Sequence, residues 1–86
     1  MVKIKAVYDN GGKTFDRYTI YIDQVEATHN GHKMYACLGL SGNPTSPQGF
    51  SQWSYGMLGV HNGKKITLAD LPKNVREHAM RRIWRY

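Results

Sequence analysis

Acidic residues are scarce in this chain. Six Asp and Glu stand against twelve Lys and Arg, which leaves a formal net charge of +6 and a pI near 9.7. The acids (Asp9, Asp16, Asp23, Glu26, Asp70 and Glu77) are scattered through turns and helix ends, without the convergent pair that general acid–base chemistry favours. Cysteine is scarcer still. Cys37 stands alone, which excludes an internal disulfide and fits a reducing compartment. No apolar run approaches the roughly 20 residues of a bilayer-spanning helix. The N-terminal MVKIKAVYDN alternates instead of forming a signal-peptide core, so a cytoplasmic, non-membrane protein is expected. There is no internal repeat and no low-complexity tract. Eighty-six residues make a single domain, 1–86, near the lower size for an unaided core.

What is abundant is glycine, and it clusters. Gly39 to Gly59 (GLSGNPTSPQGFSQWSYGMLG) holds five of the nine glycines, two of the three prolines, and the aromatics Phe50, Trp53 and Tyr55. Glycine frees the backbone and proline removes a donor, so neither a helix nor a central strand fits this stretch. Each aromatic left in water forgoes roughly 1.5–3 kcal/mol of burial, so a long, ordered loop is expected, packed on the domain or offered to a partner. A short strand near Ser51 to Tyr55 is compatible with it.

Around this stretch the pattern is that of a small α+β protein. Val2, Ile4, Ala6 and Tyr8 alternate with Lys3, Lys5 and Val7 as a half-buried strand does. Asp9-Asn10-Gly11-Gly12-Lys13 closes a turn. Arg17 to Asp23 reads as a second strand, with Tyr18, Ile20 and Ile22 on one face and Thr19, Tyr21 and Asp23 on the other. A polar turn at His29-Asn30-Gly31-His32 leads to a third, Lys33 to Leu40, with Met34, Ala36, Leu38 and Leu40 opposite Tyr35 and Cys37. Lys65 to Thr67 suits a short edge strand, and Thr67 to Asp70 a capped turn. From Pro72 to about Arg85 the chain reads as a helix with Val75, Ala79, Ile83 and Tyr86 on its packing face. His78, Arg81, Arg82 and Arg85 form a basic flank. Met80 and Trp84 either wrap into the core or expose an apolar edge. The expected architecture is a small antiparallel sheet of three to four strands, packed by one C-terminal α-helix.

Motifs for chemistry fail one by one. Gly39-Leu40-Ser41-Gly42 resembles a nucleophile elbow, but Asn43 stands where glycine is required. Gly59 to Lys65 resembles a phosphate-binding loop, but it is one residue short and has lysine in place of Ser or Thr. His29, His32, Cys37 and His61 can be drawn around a metal, yet only one weak half of a zinc spacing is present. Cys37 has no histidine beside it in sequence, and so reads as a strand residue. Pro44-Thr45-Ser46-Pro47 has the spacing of a polyproline-type ligand. No catalytic residue, metal site or cofactor is assigned on this basis, and a non-enzyme is expected.

The remaining signal is aromatic plus basic. Lys and Arg neutralise phosphates, and exposed rings stack on unpaired bases. Tyr21 and Tyr35 would share a sheet face as a stacking platform if their strands are adjacent, or else serve as core. The candidate binding residues are Lys64, Lys65, Arg81, Arg82 and Arg85 for charge, with Phe50, Trp53 and Tyr55 for shape.

Three blocks, DNGGKTFDRYTIYI (Asp9 to Ile22), YACLGLSGNPTSPQGFSQW (Tyr35 to Trp53) and LGVHNGKKITLADLPKNV (Leu58 to Val75), resemble a family of small uncharacterised proteins encoded by bacteriophages, prophages and plasmids. The resemblance covers most of the chain. It implies a mobile-element origin and the cytoplasm of a bacterial host, and it carries no activity or functional residue with it. The leading expectation is a non-enzymatic basic module that docks on nucleic acid or a nucleoprotein complex. The alternative is a protein-directed inhibitor of a host defence system, such as a CRISPR effector, using the aromatic loop. A small hydrolase or metal-binding protein is the third.

Overall fold

The computed structural model describes residues 3–14, 16–42, 51–59 and 62–84. Five strands form one antiparallel sheet: β1 (Ile4–Asp9), β2 (Tyr18–His29), β3 (His32–Leu40), β4 (Ser51–Gly56) and β5 (Lys64–Ile66). They are followed by a 3-10 turn (Leu68–Asp70) and one helix, α1 (Lys73–Trp84). The strand order is β4-β3-β2-β1-β5. The α+β architecture is as expected, with five strands where three to four were anticipated. β4 and β5, each compatible with the sequence only as a short strand, sit at the two edges, where half of the backbone groups remain unpaired and sequence patterning is weakest.

Local chemistry explains the central hairpins. Between β2 and β3, His29 pairs with His32 across Asn30 and Gly31, both at positive φ (51° and 79°). Such a two-residue turn matches the right-handed twist of the arms and favours Asn-Gly. That turn carries β2 six residues past Asp23, although the arm is largely polar and exposed. Between β1 and β2, the Asn10 side chain organises the loop. Its Oδ1 accepts from the Gly12 and Lys13 amides, and its Nδ2 donates to Thr14 Oγ1 and the Asp16 carbonyl.

One face of the sheet packs on α1. Ile20, Ile22, Leu38 and Leu40 meet Val75, Ala79 and Ile83, with Val7, Tyr18, Ala36 and Leu71 around them. Fully burying each such aliphatic contributes about 1.5–3 kcal/mol. The simple alternation of the first strand does not hold. The β1–β2 register shifts between Ile4 and Ala6, which places Ile4 and Val7 against the helix-side cluster and Ala6 and Tyr8 on the opposite face. A bulge inserts one residue and so inverts the facing beyond it.

β4 and β5 lie at opposite edges, and the described ends of the strap between them, Met57 to Gly59 and Asn62, lie on the face that α1 leaves uncovered. Tyr21 meets both ends. Its hydroxyl lies 3.1 Å from the Met57 carbonyl and 3.0 Å from Asn62 Oδ1, and donates to either. Its ring meets Tyr8 edge-on, with centroids 5.9 Å apart. With Ala6, Cys37, Tyr35 and Leu58 these rings form a second, smaller cluster beneath the strap.

Gly39 and Leu40 belong to β3, and Ser51 to Gly56 to β4, so the glycine-rich stretch is less irregular than its composition suggests. Gly39 leaves room for the Asp16 carboxylate, which a side chain there would displace. A Cβ there would come 2.7 Å from Asp16 Oδ2, which accepts from Gln52 Nε2 on β4. Residues 43–50, with Phe50 and both prolines of the stretch, lie outside the described residues, as does the loop expected there.

Candidate nucleic-acid interface

Directly paired residues of neighbouring strands point to the same face of a sheet. Leu40 pairs with Ser51, Leu38 with Trp53 and Ala36 with Tyr55, so Ser51, Trp53 and Tyr55 all project on the helix side of the β4 edge. Trp53 is half-buried against the main core, whereas Tyr55 is 57% exposed. Helix α1 reaches this same edge. His78 Nε2 and Ser51 Oγ form a 2.7 Å hydrogen bond, which ties the second half of α1 to the start of β4. Arg81 and Arg82 follow His78 by three and four residues, and therefore flank it on the helix surface. Both are exposed, and Trp84 beyond them is 70% exposed. Of the two residues at the apolar edge, Trp84 is exposed and Met80 half-buried.

The structure thus places Trp53 and Tyr55 on the helix side of the β4 edge, and Arg81 and Arg82 one turn beyond the helix residue that bonds to the start of that strand. It does not bring Lys64 and Lys65 to them. Those lysines are on β5, four strand spacings or roughly 19 Å across the sheet. They also diverge: Lys64 pairs with Asp9 on the helix side, and Lys65 with Tyr8 on the strap side. Lys64 moreover stands among carboxylates. Asp9 is held below the usual carboxylate range first by the Arg17 hydrogen bond, helped by the Gly11 amide and by Lys64. Asp70 is lowered chiefly by the Thr67 amide and hydroxyl, with Lys64 adding to it. Arg17 is itself engaged with Asp9 at 2.9 Å. By contrast, Arg81 and Arg82 form no ion pair with a described carboxylate. Phe50 and Arg85 lie outside the described residues.

Of the two alternatives for Tyr21 and Tyr35, stacking platform or core, Tyr21 takes the second. Their strands are adjacent and the two rings share a face, but Tyr21 is only 2% exposed beneath the strap. Tyr35 is half-buried, with the Lys5 ammonium 5.1 Å from its ring centroid. Periodicity places both rings on one face, and nothing local in the sequence indicates that Met57 and Asn62 meet over one of them.

His78 lies below the ordinary histidine value of 6.5, first because of burial and then because of the Arg81 and Arg82 charges. The folded state therefore resists a proton that the unfolded chain accepts. The stability this contributes is fully present above about pH 6.5 and declines as the pH falls through that value towards the lower folded-state pKa. An NMR titration of the ring should show a midpoint below 6.5, and Arg81→Gln should move it upward.

Cys37 is buried, and burial followed by the nearby Asp16 charge pushes its thiol up to about 11. Thiolate is the nucleophile, so the folded protein should react far more slowly with a disulfide reagent at neutral pH than the same chain in denaturant. Rapid labelling of the native protein would contradict this placement. Among the described residues, no three His, Cys, Asp or Glu side chains converge to hold a metal ion, and His61 lies outside them. No helix among the described residues is long and apolar enough to cross a membrane.

No protein-family model, curated protein or solved structure matches this chain. The functional reading therefore rests on its own geometry.

Proposed function

We propose that this protein is a non-enzymatic binding module that docks the phosphate backbone of a nucleic acid, free or within a nucleoprotein, on the β4–α1 edge. The observation that carries this reading is the pair Arg81 and Arg82, exposed and without a described acidic partner, on the edge that also presents Tyr55. Guanidinium groups engage phosphate oxygens in a bidentate manner, and an exposed ring beside them offers a stacking surface. The net charge of +6 adds long-range attraction. A mobile-element origin and action in the cytoplasm of a bacterial host belong to the same proposal.

The test is binding of labelled single- and double-stranded DNA and RNA across a salt series. Log affinity should fall linearly with log salt, at about −0.9 per phosphate for duplex DNA and about −0.7 for single strands. No binding at low salt would end this reading.

A second reading is favoured by Trp84, at 70% exposure, one helical turn from Arg81. Tryptophan and arginine dominate protein–protein hot spots, so the same edge suits a host defence protein as target. Affinity for such a target would change little with salt and collapse in Trp84→Ala, whose side chain contributes little to the core. Trp53→Ala is the poorer probe, because Trp53 packs against that core.

A further inference from the structure

Where the strap leaves β4, a groove of about 370 Å³ opens on the strap face, lined by Gly31, His32, Lys33, Tyr35, Met57 and Leu58. We infer that this groove seats one unpaired nucleobase, so that the nucleic acid bound by the β4–α1 edge is single-stranded. The inference rests on the nucleic-acid reading above and goes further by naming the form of the ligand.

The groove exists because of two local choices. Gly31 contributes no side chain at the hairpin tip, where its φ of 79° excludes most residues in any case. Met57 and Leu58 then turn over the sheet, with Leu58 packed into the small cluster and Met57 left 40% exposed. The volume falls at the small end of ligand sites, which span roughly 300–1,000 Å³.

Its chemistry is divided in a way that matches a nucleotide. The wall is apolar and polarisable: the Tyr35 ring, the Met57 thioether and Leu58, all suited to the flat face or edge of a base. Val25, paired with Tyr35 and 43% exposed, extends that apolar surface. The rim is cationic. Lys33 lines the groove, and the Lys5 ammonium is stationed over Tyr35, where the ring already holds it against solvent. None of the lining residues is acidic. An apolar slot with one ammonium at its rim and a second over its Tyr35 wall complements an anion that carries a planar apolar portion.

Position adds the choice of strand. Met57 follows directly on Gly56 of β4, so the groove continues from the end of the edge that bears Tyr55. A chain engaged on that edge reaches the groove by passing the end of β4. Bases inside a duplex are stacked and paired, and present no free face to such a slot. An unpaired base enters without that cost.

The experiment uses the full chain with its methionine methyl groups labelled with carbon-13. It is titrated with a single strand of about twelve nucleotides and with a hairpin duplex of matched length. Met57 is assigned through Met57→Leu, and Met34 and Met80 serve as internal references. The expected result is a Met57 shift that saturates with the single strand, single-strand affinity about tenfold above duplex, and a loss of about tenfold in Lys5→Gln/Lys33→Gln for the single strand alone. If the single strand binds and Arg81 and Arg82 are needed, but the Met57 methyl does not move, the groove is not used and the edge reading survives. Equal affinity for duplex would overturn the inference in the same way. If neither probe binds, the edge reading fails and takes the groove with it.

Discussion

Arg81→Glu/Arg82→Glu is expected to weaken oligonucleotide binding at low salt by roughly a hundredfold or more, with little change in stability. Two favourable phosphate contacts become two repulsive ones, and each lost contact costs about tenfold or more in affinity. The salt slope should flatten by about 1.4 for single strands, since two fewer counterions are released. Both side chains are exposed and outside the core, so the denaturation midpoint of the variant should stay close to that of the parent. Lys64→Glu/Lys65→Glu is the matched control. The same change in charge at the opposite edge of the sheet should reduce affinity only through the long-range field, and much less. Equal losses in the two double variants would mean that net charge alone is at work, and that the β4–α1 edge is not a site.

Tyr21→Ala is the variant expected to damage the fold most. Tyr21 is almost wholly buried, it meets Tyr8 edge-on, and its hydroxyl reaches both ends of the strap. Truncating a buried aromatic costs about 3–5 kcal/mol. A small domain has only about 5–15 kcal/mol in total, so this variant should be largely unfolded or close to it. Tyr21→Phe separates the two contributions. It keeps the ring and removes the hydroxyl, leaving Asn62 Oδ1 without that donor. The Met57 carbonyl retains Asn62 Nδ2 at 3.3 Å. A loss of about 1 kcal/mol is expected, read from the urea midpoint. If Tyr21→Ala stayed as stable as the parent and lost only ligand binding, Tyr21 would be a surface platform and the strap would not cover it.

Much of the architecture is legible in the chain because it is local. Val75, Ala79 and Ile83 recur at helical spacing and are the buried face of α1. Tyr18, Ile20 and Ile22, and likewise Ala36, Leu38 and Leu40, recur at strand spacing and form the helix-side core. The Asn30-Gly31 turn and the Asn10 loop follow from side chains and conformations within a few residues. Less legible are the polar outer arm of β2, which is a strand only because β3 pairs with it, and β4, whose glycines and aromatics resemble a loop. The bulge near Lys5 is decided by the partner strand, and it moves Ile4 and Val7 to one face against the alternation.

By itself, then, the sequence determined the helix face, the core strands, the turns and the basic balance, since each depends on periodicity, on backbone freedom or on counting charges. Only the tertiary structure decided what stands beside what. Strand order is a non-local choice that no short window contains, and it placed β4 and β5 at opposite edges. That one choice separated Lys64 and Lys65 from Arg81 and Arg82. It also drew Met57 and Asn62 over the strap face to enclose Tyr21, and left the groove beside Tyr35, Met57 and Leu58.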